Sequence, residues 1–240
     1  MTEEEKKDGG NGVSRREFVT GASAALGGAT LGMALAYPVE PKALAAVAPR
    51  VETKFACPID SQNFESFEAL KRHFAAAHPA AAIPVLTKLK VNGKDYEVQI
   101  EPQWTLQRTL QFKLGMYGAK TMCNRGECGS CTVIIEGKPA LSCTVLAVEC
   151  EGKTIETIEG IAADPKCLPL IHAYGKWDAM QCGYCTPGFV VAAKALLHRN
   201  ANPTEDEVRQ ALSGNICICG TYPRHSKAVL EAAQVMKGGA

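Results

Sequence analysis

Apolar and polar positions alternate with a period of two in the middle of the chain. Leu89 and Val91, then Tyr96, Val98 and Ile100, flank Asn92-Gly93, which predicts a β-hairpin closed by a type I′ turn. Thr132 to Ile135 running into Glu136-Gly137 predicts a further strand and turn. Between them the period lengthens, and Leu106, Leu110 and Leu114 share one face of a short helix that Thr105 can cap. After Glu159-Gly160 the pattern is helical, and Ala163-Asp164-Pro165 breaks both periodicities, so a domain boundary is expected near Ala162. Thr186 and Pro187 read as an N-cap and first-turn pair ahead of the apolar run Phe189 to Leu197. Thr204-x-x-Glu207 reads as a capping box opening a helix that ends near Ser213-Gly214.

Composition narrows the class. The 240 residues are 46% hydrophobic, enough to bury a core without covalent staples. The net charge of +1 carries no basic footprint, so no nucleic-acid partner is expected. Eleven cysteines dominate the chemistry, and eight form two groups of four. The first is Cys123-x4-Cys128-x2-Cys131 followed by Cys143, the plant-type spacing for a [2Fe-2S] cluster held by four thiolates. Gly126 and Gly129 leave that loop's backbone free to bring N–H groups toward inorganic sulfur. The second is Cys182-x2-Cys185 with Cys217-x-Cys219, two pairs at the ends of predicted helices and able to converge. Four-cysteine zinc is the redox-silent alternative, but zinc usually takes two Cys-x2-Cys knuckles, which the x4 spacing and Gly-rich loop fit poorly. Cys150 and Cys167 fall outside both groups and read as small buried hydrophobes. His172, His198 and His225 are scattered singly and read as surface or satisfied polar residues.

Four segments carry a family resemblance: Gly118 to Thr132, Leu141 to Cys143, Gln181 to Gly188 and Leu212 to Tyr222. From about Thr87 onward, over about 150 residues, the chain resembles the small iron-sulfur subunit of the molybdenum hydroxylases, the family of xanthine dehydrogenase and aldehyde oxidoreductase. The resemblance implies an α+β fold: a β-grasp, 2Fe-2S ferredoxin-like domain over residues 86–162, then an all-α, four-helix-type [2Fe-2S]-binding domain over 163–240. It implies an oxidoreductase subunit without a turnover site of its own. Single electrons would pass from a molybdopterin centre on a large catalytic subunit, through the cluster of Cys182, Cys185, Cys217 and Cys219, then through that of Cys123, Cys128, Cys131 and Cys143. The acceptor would be a flavin (FAD) subunit or a cytochrome c. Gln181, just before the second Cys-x2-Cys, is expected to contact the molybdopterin. Asn124 departs from the family, which commonly carries an acidic residue there, and lost negative charge could shift a cluster potential modestly. The alternative is a stand-alone periplasmic ferredoxin-like carrier, against which the second cysteine group argues. Substrate identity belongs to the large subunit, with aldehydes or N-heterocycles favoured by family analogy alone.

At the amino terminus Ser14-Arg15-Arg16-Glu17-Phe18-Val19-Thr20 is a twin-arginine motif, and no residue from Phe18 to Val39 is charged. Residues 1–45 are therefore expected to be a twin-arginine signal peptide, removed after Ala45, with Ala46-Val47-Ala48 as a second candidate site. A membrane anchor is the competing reading, since about 20 apolar residues can span a bilayer, but four glycines weaken it. Export implies a periplasmic or cell-surface location, with membrane involvement only in transit. Transport of the folded protein suits clusters assembled before export, because an unfolded chain would expose its thiols to an oxidising compartment.

Residues 46–85 are expected to be a linker carrying a degenerate Cys2His2-like zinc-finger segment. Phe55, Cys57, Phe64, Leu70, His73 and His78 follow that frame, with Asp60 where the second cysteine would stand. Both histidines sit near the end of a helix that Ser66 can open. Aspartate is an acceptable though harder zinc ligand, so Cys57, Asp60, His73 and His78 are candidate ligands, and incidental histidines on a linker helix are the alternative.

Overall fold

A computed structural model of the chain describes residues 55–81 and 83–238. The twin-arginine segment lies outside the described residues. All of the described residues belong to one compact unit, Val47–Ala240.

Hairpin chemistry sets the sheet. Strands β3 (Val85–Val91) and β4 (Lys94–Ile100) pair antiparallel from Val85 opposite Ile100 to Val91 opposite Lys94. Asn92 and Gly93 both hold positive φ, 51° and 76°, as a type I′ turn requires. Strands β5 (Thr132–Ile135) and β6 (Lys138–Leu141) form a second hairpin around Glu136-Gly137, again with both φ positive. Strand β7 (Thr154–Glu156) joins the hairpins, parallel to β3 and antiparallel to β5, giving the order β4-β3-β7-β5-β6. Helix α2 (Leu106–Phe112) begins where Thr105 Oγ1 accepts the Arg108 N–H. Its Leu106 and Leu110, with Leu114 beyond, pack on Leu89, Val91, Val98 and Ile100 to make the first core, the predicted β-grasp arrangement. Each of these buried side chains contributes roughly 1.5–3 kcal/mol.

The second core is helical. Helices α3 (Ile158–Ala163), α4 (Leu168–Lys176), α6 (Glu205–Leu212) and α7 (Tyr222–Gly238) pack around α5 (Thr186–Arg199), which buries nine residues including Phe189, Val190 and Val191. Successive side chains of a strand point to opposite faces, so β5 sends Val133 into the first core and Ile134 into the second. That strand fastens the two layers together.

Two local expectations change. Helix α3 already begins at Ile158, so the helical pattern starts before Glu159-Gly160, which lies inside it. Gly160 is there for space, since a Cβ would meet Asn92 Oδ1 at 2.3 Å. The Asn92 side chain accepts from Thr157 N–H and donates to Thr157 Oγ1, both at 2.9 Å, pinning the hairpin turn to the helix start. Thr186 is likewise not the N-cap of α5. Cys185 takes that position with helical φ and ψ, because a turn closed by Thr186 N–H to the Gly183 carbonyl starts the helix early, and Thr186 Oγ1 is left buried without a partner. The capping box at Thr204 and Glu207 forms as expected, and Ser213 follows the helix end.

The segment expected to be a linker is a folded ββα module. Strands β1 (Phe55–Ala56) and β2 (Asn63–Phe64) pair antiparallel, and helix α1 (Phe67–Ala77) starts where Ser66 Oγ accepts the Ala69 N–H.

Candidate iron-sulfur and metal sites

The first cysteine loop is suspended between α2 and the β5–β6 hairpin. Buried Gln107 donates from Nε2 to the Lys120 carbonyl at 2.7 Å, and its own N–H donates to the Ser142 carbonyl at 3.0 Å. Ser142 Oγ in turn donates to the Cys131 carbonyl at 2.7 Å, holding Cys143 beside Cys131. Sequence reading missed both residues, because their role depends on partners 11 to 13 positions away. The loop itself winds through left-handed conformations at Asn124, Gly126 and Gly129. Asparagine tolerates a φ of 52° better than most side chains, which gives Asn124 a backbone reason to stand there.

Within this loop the N–H of Glu127 donates to Cys123 Sγ at 3.4 Å. The N–H of Arg125, then that of Glu127, hold the Cys123 thiol at about 6, so at neutral pH it stands as a thiolate. Burial, and the neighbouring Cys143 thiol, push Cys131 up to about 11. The sulfurs therefore pair, Cys123 with Cys128 and Cys131 with Cys143.

The second group pairs in the same way. Cys182 and Cys219 sulfurs lie 3.6 Å apart, while Cys185 sits beside Cys217 at the start of α5. Burial raises the Cys185 thiol to about 12. For Cys217, burial acts upward but is outweighed by the Thr221 hydroxyl and N–H, which bring it to about 7. Thr221 Oγ1 lies 3.1 Å from Cys217 Sγ and 2.9 Å from His225 Nε2, and the His225 ring stacks on Phe189 at 3.9 Å. Of the two readings of His225, surface or satisfied polar residue, the surface one fails, and Nε2 is partnered while the buried Nδ1 is not. His225 is 1% exposed, kept neutral by burial with its pKa lowered to about 4, and belongs to the surroundings of Cys217. The i, i+4 spacing of Thr221 and His225 was the available sequence signal.

This pairing distinguishes two metal chemistries. A single tetrahedral zinc with bonds near 2.3 Å would bring all four sulfurs to about 3.8 Å of one another. Among the described residues neither tetrad gathers its four sulfurs that closely, and the close contacts run in pairs, which suits two irons with two thiolates apiece. The donors and the N–H groups fit a [2Fe-2S] group. All described cysteines are free of disulfides, and Cys150 and Cys167 are buried as expected, their thiols raised by desolvation.

The two loops meet directly. Ile216 N–H donates to the Cys128 carbonyl at 2.9 Å, and buried Asn215 Nδ2 donates to the Gly129 carbonyl at 2.9 Å. Tyr184 Oη donates to the Thr121 carbonyl at 2.5 Å. Gly129 and Gly188 face each other across this seam. A Cβ on Gly188 would meet the Gly129 carbonyl oxygen at 2.3 Å, and one on Gly129 would meet the Gly214 carbonyl oxygen at 2.4 Å. Gln181 is exposed on the rim, next to the exposed Cys182.

The third candidate group also assembles. Cys57 Sγ, an Asp60 oxygen and one ring nitrogen each from His73 and His78 all lie within 4.8 Å of one another. The Gln62 N–H, and with it the Cys57 thiol and the two histidines, lower the Asp60 carboxyl to about 2 against partial desolvation, so it is an anion at neutral pH.

Known proteins of similar sequence and shape fall on the same region. The [2Fe-2S] binding domain family matches residues 157–230, from the start of α3 into the middle of α7. The nicotinate dehydrogenase small FeS subunit of Eubacterium barkeri is 40% identical over 150 residues, which is 62% of this chain and 96% of that protein. The aldehyde oxidoreductase iron-sulfur-binding subunit PaoA of Escherichia coli (strain K12) is 38% identical over 177 residues, 68% of this chain and 77% of that one. Among solved structures, quinoline 2-oxidoreductase from Pseudomonas putida 86 superposes with a TM-score of 0.61 at 37% identity, covering 65% of this chain and 98% of that chain. The aldehyde oxidoreductase of Desulfovibrio desulfuricans ATCC 27774 gives 0.61 at 39% identity, over 64% of this chain and 17% of that much longer one. Paired thiols in two abutting loops, on a sheet-plus-helix frame shared with these proteins at such identity, place the chain in the family of small iron-sulfur subunits of the molybdenum hydroxylases.

Proposed function

We propose that the chain is the electron-transfer subunit of an exported molybdenum hydroxylase complex and carries two [2Fe-2S] clusters. Cys123, Cys128, Cys131 and Cys143 would hold one cluster, and Cys182, Cys185, Cys217 and Cys219 the other. When bound, each cluster supplies a site that accepts and releases one electron with little rearrangement of its thiolates. The carrying observation is the hydrogen bond from Ile216 N–H to the Cys128 carbonyl, which joins the two loops through the residue next to Cys217. It is a short covalent and hydrogen-bonded connection from one ligand set to the other.

Partner surfaces follow from exposure. Met180, Tyr184, Ile216 and Ile218 are exposed apolar side chains interleaved with the second group of ligands, Ile218 at 86%. Such a concentration on a soluble face marks a protein interface, and the large molybdopterin-binding catalytic subunit is the partner that would cover it. Gln181, on the same rim, would reach the molybdopterin by hydrogen bonding. The ferredoxin-like layer would face the acceptor, a flavin subunit or a cytochrome c. Export through the twin-arginine pathway, to the periplasm or cell surface, rests on the Arg15-Arg16 motif alone.

Expression with its neighbouring subunits is the direct test. The chain is expected to co-purify with a large molybdenum-bearing subunit, and the dithionite-reduced complex to give two distinct low-temperature paramagnetic signals. Isolation as a free one-cluster protein would favour the stand-alone carrier instead.

The surroundings of Cys217 predict a tuned potential. A hydroxyl donating to a thiolate stabilises the more negative, reduced form, so Thr221→Val should lower one midpoint potential. One hydrogen bond of about 1 kcal/mol corresponds to on the order of 40 mV for a single electron. A redox titration followed by paramagnetic resonance should show one signal moving and the other staying.

A further inference from the structure

We propose that Cys57, Asp60, His73 and His78 form a closed, structural zinc site that folds the ββα module and fixes it on the edge strand β4. Zinc here is independent of the electron-transfer function and of the iron it requires.

The donor set converges as tetrahedral zinc demands. With zinc–nitrogen and zinc–oxygen bonds near 2.0 Å, neighbouring ligand atoms stand about 3.3 Å apart. Asp60 Oδ2 lies 2.9 Å from His73 Nε2 and 3.3 Å from His78 Nε2, so one carboxylate oxygen faces two ring nitrogens from positions 73 and 78 of α1 and its cap. The 2.9 Å contact lacks hydrogen-bond geometry, and the buried His73 Nε2 has no hydrogen-bond partner at all. It stands within 4.8 Å of the other three donor atoms. Asp60 is held to present a single oxygen, because its Oδ1 accepts the Gln62 N–H at 3.1 Å. The Cys57-to-Gln62 turn that sets this geometry is closed by Cys57 N–H to the Gln62 carbonyl at 2.8 Å and Ser61 N–H to the Cys57 carbonyl at 2.9 Å.

The module also lacks another source of stability. Its fully buried residues are Cys57, Leu70 and Phe74, supported by Phe55, Phe64, Phe67 and Ala81, and its strands are two residues long. A core of this size is too small to hold such a segment folded by itself, which is where a metal or disulfide is usually found, and Cys57 is the one cysteine it contains. One thiolate and two imidazoles select zinc over calcium or magnesium, and four protein donors leave no open position for catalysis. Gln99 Nε2 on the edge strand β4 donates to the Ala56 carbonyl at 2.9 Å, tying the module to the sheet through one side chain.

The full chain, purified without chelator, is expected to carry about one zinc beside its iron. Cobalt substitution should give the intense thiolate-to-metal band of a tetrahedral site. Cys57→Ala and His78→Ala should lose the zinc and open residues 55–81 to protease, while iron content and the visible cluster spectrum are unchanged. Asp60→Cys should keep the zinc and hold it at least about tenfold more tightly against a chelator. Less than about 0.1 zinc per chain after growth with zinc, or zinc unchanged in both loss variants, would overturn the proposal. Loss of iron with zinc retained would count against the electron-transfer reading and leave the zinc site standing.

Discussion

Cys217→Ser is expected to abolish one of the two paramagnetic signals and about half of the bound iron while leaving the other signal intact. Serine offers a hard hydroxyl that stays protonated at neutral pH, and the three remaining thiols leave one iron of the pair short of a ligand. The other tetrad stands on separate supports, Gln107 and Ser142, so it should assemble normally. In the complex, substrate oxidation with an external acceptor should fall to background. Metal analysis and resonance of the reduced variant check this directly, and loss of both signals together would show that the tetrads fold as one unit.

Gly188→Ala should be strongly destabilising, against the ordinary preference of helices. In an exposed helix this change would stabilise by roughly 1 kcal/mol, since alanine is the better helix former. Here the added Cβ would stand 2.3 Å from the Gly129 carbonyl oxygen, a backbone atom that cannot swing aside. Relief requires moving α5 away from the first loop, which breaks the Asn215 to Gly129 bond and strains the Ile216 to Cys128 bond. A loss on the order of 3 kcal/mol is expected, from overpacking together with a buried polar group left without its partner. Chemical denaturation of the variant measures it. A second readout separates this from general instability: electron transfer between the two signals should slow more than either signal weakens. An unchanged or raised denaturation midpoint would mean that the seam is looser than its contacts indicate.

Asn92-Gly93, Glu136-Gly137 and Thr204-x-x-Glu207 were legible because their chemistry closes within four residues. Thr186 was misread for the complementary reason. Its threonine-proline signature is that of a cap, yet the turn from Gly183 puts Cys185 into helical conformation one residue earlier. Gly160 carries no local signal of its role, because its lack of a side chain answers Asn92, far away in the chain. His225 looked solitary because nothing in a linear pattern reports that Phe189 stacks on it or that Thr221 links it to Cys217.

Spacing alone marked out the two cysteine groups, the two layers and the finger-like frame, since thiolate chemistry and hydrophobic period are properties of residue type and short separation. Tertiary structure alone decided how the thiols pair, which loop touches which, and that residues 55–81 form a module with four converging donors. Those outcomes depend on backbone groups such as the Gly129 and Cys128 carbonyls, which every residue possesses and no sequence pattern can single out. Only folding determines which of them face one another.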